Sequence, residues 1–328
     1  MAAPARQRGP ALGRGGRGGA ARPLAGVALG AGTVIASGTV RGGDLLDQIL
    51  ALDPGARGIR AFARPGAAAA AARALRGARR VLLATGFTVA PGMPETDGPP
   101  GAAVLGRALR RLGARVRWVT DPASAPLVEA ALDVLGEPPD VVVYPEGGGG
   151  AAALLAAERP THLVAIERPG RTRAGDYLSA RGESVAALNA PVDELFVGNT
   201  GRRRPVTVGI GDGGNEIGMG NVRARLVRLN RLHARIASVV RVDHLVVAGV
   251  SNWGGYGVVA ALARLTGQDL LHTAALDRRM VEACVAAGAH DGVTRRREPT
   301  VDALPLGAHA AVVELLRLAA RSGMMGGR

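Results

Sequence analysis

The sequence predicts an α/β fold, with a largely parallel or mixed sheet flanked by helices and a ligand site at the C-terminal ends of the strands. Three observations predict it. Short aliphatic runs rich in β-branched residues alternate with helical stretches of about 10–15 residues, the pattern of βαβ units. Oxygen-bearing residues fall at or just after the ends of those runs, where open α/β sheets bind ligands. The 328 residues, 47% of them hydrophobic, are enough for a large core.

Residues 1–43 carry six arginines, many glycines and alanines, and no acid before Asp44. They read as a disordered leader. Arginines without acids also suit a transit peptide, but the glycines and prolines weaken an amphipathic helix; a cytoplasmic protein is expected. The α/β domain is expected over 44–322 and a flexible tail over 323–328. Within the domain, 80–84 reads as a buried strand that ends at Thr85-Gly-Phe. The loop 91–100 is rich in proline and glycine, and a helix follows over 101–112 with Pro99 and Pro100 near its start. Strand 115–119 comes next, then a helix running to Leu135 with Ser124 as its cap. Four further strands are expected at 140–144, 162–166, 206–210 and 244–249, and helices at 255–265, 276–287 and 307–321.

The fifth strand runs into Gly211-Asp-Gly-Gly-Asn-Glu-Ile-Gly-Met-Gly220. Glycine permits positive φ and close approach of backbone to a ligand. Asp212, Asn215 and Glu216 place two carboxylates and an amide within five positions. Such a loop suits a hard metal ion or an amine and would repel a bare phosphate. The plainer alternative is that Asp212 caps a following helix, with Glu216 in its first turn.

Composition removes several function classes. All 41 basic residues are arginine; without lysine neither Schiff-base chemistry, including PLP, nor a Walker P-loop is available. The net charge is +14, yet aromatics are only 2%, which leaves few platforms for bases, and no nucleic-acid partner is expected. No run of about 18 uncharged apolar residues occurs, so no membrane partner is expected. The single cysteine, Cys284, excludes an internal disulfide and reads as core. The six histidines lack HxxxH and HExxH spacing, which argues against zinc. Residues 209–214 match GxGxxG, the mark of a dinucleotide-binding dehydrogenase, but an acid sits inside the motif and none follows about 20 residues on. No nucleotide cofactor is expected.

Six segments together resemble the C-terminal domain of the D-glutamate cyclase family: Ala84-Thr-Gly-Phe87, Glu95-Thr-Asp-Gly-Pro-Pro-Gly-Ala102, Ile166-Glu-Arg-Pro-Gly170, the 211–220 loop, Ser251-Asn-Trp-Gly-Gly255 and Thr300-Val-Asp-Ala-Leu-Pro305. The likeness spans roughly residues 44–320, in the family's order. It implies dehydration of D-glutamate to 5-oxo-D-proline, a carbon–oxygen lyase reaction on a small amino-acid substrate. The larger cyclases carry an additional N-terminal domain, whereas only the leader is expected before the core here. For some members the resemblance implies a divalent metal (Mg, Mn or Ca) in an acidic pocket.

Cyclisation needs a base for the ammonium proton and help for the departing oxygen. Asp212 and Glu216 are expected at the catalytic centre, one holding a cation and the other acting as base, with Asn215 holding a carboxylate or water. Glu95, Thr96, Asp97, Gly98, Gly213, Gly214, Arg168 and Asn252 are the expected substrate contacts. Arg168 could equally pair with an acid, and Asp97 could be a helix cap. Asp97, Glu146, Asp212 and Glu216 are the expected metal ligands. Trp253 reads as a packed aromatic, and Asp302 lies in a segment expected to fold back on the site. The rival readings are a metal-dependent hydrolase of a small phosphate or amide, and a non-catalytic small-molecule or metal-binding module. Further copies of the chain, in a homo-oligomer, are the only macromolecular partner expected.

Overall fold

A computed structural model of the chain describes residue 2 and residues 44–325 except 200, 202 and 203. The expected leader, apart from residue 2, and the last three residues lie outside the described residues. Two helices, α1 (Leu45–Leu50) and α2 (Ala67–Leu75), lead into a six-stranded parallel sheet. Its strands are β1 (Arg80–Thr85), β2 (Arg115–Thr120), β3 (Val141–Val143), β4 (His162–Ile166), β5 (Val206–Gly211) and β6 (His244–Val247). Their spatial order is β3-β2-β1-β4-β5-β6, every pair parallel. The order reverses between β1 and β4, and a doubly wound sheet opens a crevice at that point, beyond the strand ends.

The helices after β1 are α3 (Pro99–Arg111), α4 (Ala125–Val134), α5 (Ala151–Glu158), α6 (Glu194–Val197), α7 (Arg223–Leu229), α8 (Arg231–Ile236), α9 (Ser251–Thr266), α10 (Ala274–Ala286) and α11 (Leu306–Met325). Alternate strand residues face opposite sides of the sheet. Val81 and Leu83 join the core under α1–α4 and α9–α11, while Leu82 and Ala84 join a smaller one with Leu163, Leu195 and Phe196. This two-sided burial explains why the central strands read as continuous apolar runs. β3 and β6 are the two edge strands, and Val143 on β3 is exposed. Two antiparallel ribbons complete the fold, Thr88–Ala90 with Met93–Pro94 and Thr300–Val301 with Leu304–Pro305. Among the described residues no helix is long and apolar enough to cross a membrane.

All six expected strands are present. The differences lie at helix starts and in the helices α1, α2 and α5–α8, which were not among those expected. α3 begins at Pro99, inside the expected loop, because a proline costs nothing where the N–H has no partner in the helix. Ser124 makes no side-chain cap; Asp121 Oδ1 accepts the Ser124 N–H instead, at 3.2 Å. α9 begins at Ser251, four residues before the expected start. Its glycines obscure the helical pattern, yet they are what allow contact: a Cβ on Gly255 would stand 3.0 Å from the Gly101 carbonyl of α3.

Candidate active site

Strand register aligns the acids. Thr85 pairs with Ile166, Ile166 with Ile210, and Gly211 with Val247. The residues that follow, Gly86, Glu167 and Asp212, therefore leave the sheet at nearly one level. Glu167 turns sharply into the crevice with φ +42°. The loop after β1 brings in Glu95 and Asp97, and the turn between Val301 and Leu304 brings in Asp302, itself at φ +55°.

Two helix N-termini meet there and cap one another. Asp97 accepts the N–H groups of Ser251 at 2.9 Å and Asn252 at 2.8 Å, which begin α9. Asn252 Oδ1 accepts the N–H groups of Gly98 at 3.0 Å and Gly101 at 2.7 Å, at the start of α3. Each side chain supplies an acceptor to N–H groups that a helix cannot satisfy itself. The cap reading of Asp97 therefore holds, on α9 rather than on its own helix. Gly98 stands at φ +104°, and a Cβ there would lie 2.9 Å from the Glu167 Cβ.

Glu216 folds back over its own loop. Its carboxylate accepts N–H bonds from Asp212 at 2.8 Å, Gly213 at 2.5 Å and Gly214 at 2.7 Å. The segment runs on into a 3-10 turn, Met219–Asn221, so the helix-cap alternative for Asp212 and Glu216 does not describe it. The same bonds occupy the N–H groups that a pyrophosphate would need, which removes the support for dinucleotide binding. Glu216→Gln is expected to loosen this loop by about 1–3 kcal/mol, because one amide group must then face a donor. The check is a lower Tm with faster amide exchange confined to 212–214; exchange unchanged there would count against the clamp.

A cavity of about 200 Å³ opens among these elements, smaller than the ~300–1,000 Å³ of drug-sized ligand pockets. Glu95, Glu167 and Asp212 form its buried floor. Phe87, Val89 and Val293 give it an apolar wall, and Arg181 and Arg295 line it near the mouth. Arg57 enters from the loop after α1. It holds Asp302 through both carboxylate oxygens, at 2.7 and 3.0 Å, and pairs with Asp212 through Nη1. The oxygens of Asp97, Asp212 and Asp302 lie within 4.8 Å of one another, as do those of Glu167, Asp212 and Glu216. Glu95 adds a sixth carboxyl, which makes no hydrogen bond to a described residue. Arg57 is the only cation paired with any of the six among the described residues.

The crowding shows in proton affinities. Burial, with repulsion from Asp97 and Asp302, holds the Glu95 carboxyl well above the usual range. Burial and the charges of Glu216 and Glu95 do the same to Glu167. Asp212 is raised by burial although Arg57 opposes the shift. Asp97 is pushed up to about 7, by burial and then by Asp302, against its backbone N–H bonds.

Residues 46–317 match the model of a protein family described as D-glutamate cyclase-like, C-terminal. The chain belongs to this family. The human protein "D-glutamate cyclase, mitochondrial" is 37% identical over 233 residues, covering 66% of this chain and 38% of that protein. The chain thus spans well under half the length of that relative.

Within this cyclase-like domain the expected residues divide. Asp212, Glu216, Asn215, Glu95, Asp97 and Gly213 gather at the cavity or its acidic floor. Thr96 is fully buried and ties the loop to the Thr300 carbonyl at 2.8 Å. Gly98, Gly214 and Asn252 build the frame without lining the cavity. Glu146 is exposed beyond the edge strand β3 and stands apart from both acidic groups. Arg168 is fully buried and gives its guanidinium to Asp121 at 2.6 Å and to the carbonyls of Gly86 and Ala190. It therefore acts as the paired arginine of the two readings, beside the crevice. Trp253 is packed, with its Nε1 on His309 Nδ1 at 2.9 Å. Arg57, Arg181 and Arg295 carried no signal among 41 arginines; Glu167 showed one, as an acid at a strand end.

These acids have a consequence for pH. Asp97 keeps its proton in the native state up to about pH 7, whereas in the unfolded chain it releases it near pH 3.9. Across that window the native state binds more protons, so stability falls as pH rises. Glu95, Glu167 and Asp212 act in the same direction. Thermal melts at about pH 5 and about pH 8 should show the lower Tm at the higher pH. Mg²⁺, Mn²⁺ or Ca²⁺ should raise Tm more at the higher pH, where the carboxylates are charged; an equal or absent shift at both would count against a cation at this cluster.

Proposed function

We propose that this cavity cyclises D-glutamate to 5-oxo-D-proline, a dehydration that would make the chain a carbon–oxygen lyase acting on a small amino acid. Glu95 carries the reading: a cavity-lining carboxyl, buried, without a hydrogen-bond partner among the described residues, and of raised proton affinity. The family and the name of the human relative supply the substrate.

The reaction joins the α-nitrogen to the carbon of the γ-carboxyl group and releases one oxygen of that carboxyl as water. Two protons leave the ammonium group and both finish on that oxygen, so no net proton is exchanged. A group that both takes and returns protons near neutral pH suits this need. Glu95 would take the first proton from nitrogen and deliver it to the departing oxygen. Glu167, whose carboxylate already accepts the Ser251 hydroxyl at 2.5 Å, would be the second proton carrier. Asp212 and Asp302, held by Arg57, would keep the floor negative and attract the ammonium group. The small cavity favours the folded substrate, in which the nitrogen meets the γ-carboxyl carbon.

The buried floor fits a divalent ion, because each acidic group offers hard oxygen donors within 4.8 Å. Glu167, Asp212 and Glu216 would hold it, with Glu167 then serving as a ligand in place of its proton-carrying role, and a bound ion would supply polarisation of the γ-carboxyl. Glu146 takes no part in this set.

Purified protein incubated with D-glutamate should release 5-oxo-D-proline, seen by chiral chromatography, with L-glutamate reacting far more slowly. The assay should be run with and without chelator. Tight cation binding without turnover of D-glutamate would sink the cyclase reading in favour of a binding module. The cytoplasmic expectation is tested by a fluorescent fusion of the whole chain, and a homo-oligomer by light scattering.

A further inference from the structure

The cyclase reading, on which this inference rests, leaves one end of the substrate to be accounted for. The α-carboxylate takes no part in bond making, remains in the product and needs a cation. Three arginines line the cavity, Arg57, Arg181 and Arg295. The Arg57 fork is committed to Asp212 and Asp302. Arg181 is exposed, and its Nη2 donates to the Val293 carbonyl at 2.7 Å. Arg295 differs: its Nε–H is buried with no hydrogen-bond partner among the described residues. Among the described residues its Nη2 meets only Glu183, whose side chain is 51% exposed, and a solvent-screened pair of that kind is weak.

The backbone holds Arg295 in place. It sits at φ +57°, a left-handed conformation that a non-glycine residue keeps only where its surroundings enforce it. Asp291, fully buried, enforces it. Its carboxylate accepts the N–H groups of Val293 at 2.9 Å and Thr294 at 2.8 Å, and its carbonyl accepts that of Arg295 at 2.8 Å. The other Asp291 oxygen takes the Ala303 N–H at 2.7 Å, in the turn that carries Asp302. One buried carboxylate thus sets the Arg295 loop and the acidic turn relative to each other.

We propose that Arg295 anchors the non-reacting α-carboxylate and thereby selects α-amino dicarboxylic acids over amines that lack this group. Its planar fork, with one N–H already stripped of water, suits a carboxylate. 5-oxo-D-proline keeps the same carboxylate, so the product should bind through Arg295 too.

The test compares D-glutamate with 4-aminobutanoate, which has the amine and the reacting carboxyl but no α-carboxylate and would close to 2-pyrrolidinone. Arg295→Ala should lower kcat/KM for D-glutamate and weaken calorimetric binding of 5-oxo-D-proline by roughly 10- to 100-fold. Turnover of 4-aminobutanoate and binding of 2-pyrrolidinone should stay at wild-type levels. Arg295→Lys, which keeps the charge and loses the fork, should fall between, and thermal melts confirm that both variants fold. Equal losses for both substrates, no loss, or a selective loss in Arg181→Ala instead would overturn the anchor. Arg295-dependent binding of 5-oxo-D-proline without any turnover of D-glutamate would leave the anchor standing and remove the cyclase reading. Wild-type protein that binds neither D-glutamate nor its product would remove both.

Discussion

Glu95→Gln is expected to lower kcat by about 10²- to 10⁴-fold, the range for loss of a positioned acid–base group, while the protein stays folded. The amide keeps the shape of the side chain and loses the proton transfer. Among the described residues the Glu95 side chain holds no hydrogen bond that the change would break, and its carboxyl is repelled by Asp97 and Asp302. Removing that charge should leave Tm unchanged or raise it, most visibly above neutral pH. Activity and stability should thus move independently, which separates a reacting group from a structural one. Wild-type turnover in a folded Glu95→Gln protein would exclude Glu95 from the reaction. A collapsed Tm would mean that the side chain braces the loop. The neighbouring glycine makes the site sensitive to bulk: a Cβ on Gly292 would stand 2.0 Å from Glu95 Oε2.

Arg57→Met should destabilise the fold and abolish activity together. Arg57 is mostly buried, with 20% of its side chain exposed, and it bridges Asp212 and Asp302, at 6% and 8%. Removing one member of a buried ion pair costs about 3–5 kcal/mol, because the charge left behind has no partner. Here two carboxylates are left, beside others already crowded. The loss should be largest at high pH, where the acids are ionised, and smaller at low pH, where they are protonated. Arg57→Met combined with Asp302→Asn should recover part of the Tm. Chemical denaturation of the set in a double-mutant cycle measures the coupling; additive losses would show that the bridge contributes little.

The difference between these variants reflects what each residue could reveal in advance. Glu95 and Asp97 sit in a proline- and glycine-rich loop that follows a strand, and the position alone marks them. Asp302 lies in a segment expected to return to the site, and it does. Arg57 and Arg295 are two of 41 arginines in a chain without lysine, so nothing local distinguishes them. Glu216 was expected at the catalytic centre because two acids in one glycine-rich loop look alike in one dimension. In space they part: Asp212 faces the cavity and Arg57, while Glu216 turns inward to its own backbone. Glu146 was also expected as a metal ligand, and it stands apart from both acidic groups. It follows β3, which lies at the edge of the sheet, three strands away from β4.

The sequence by itself determined the six strands of a largely parallel or mixed sheet, the alternation with helices and the glycine loop, because those depend on local periodicity and backbone freedom. It also determined the family, because six short segments occur in the family's order. Only the tertiary structure decided which acids meet. Strand order sends the chain ends of β1, β4 and β5 to one crevice and β3 to the margin, and pairing across the sheet is a long-range contact that local spacing does not encode. Burial then decides the setting of each carboxyl: it is exposed at Glu146, clamps backbone N–H groups at Glu216, and at Glu95 is buried with a raised proton affinity, according to how much water and how many N–H groups the fold leaves around it.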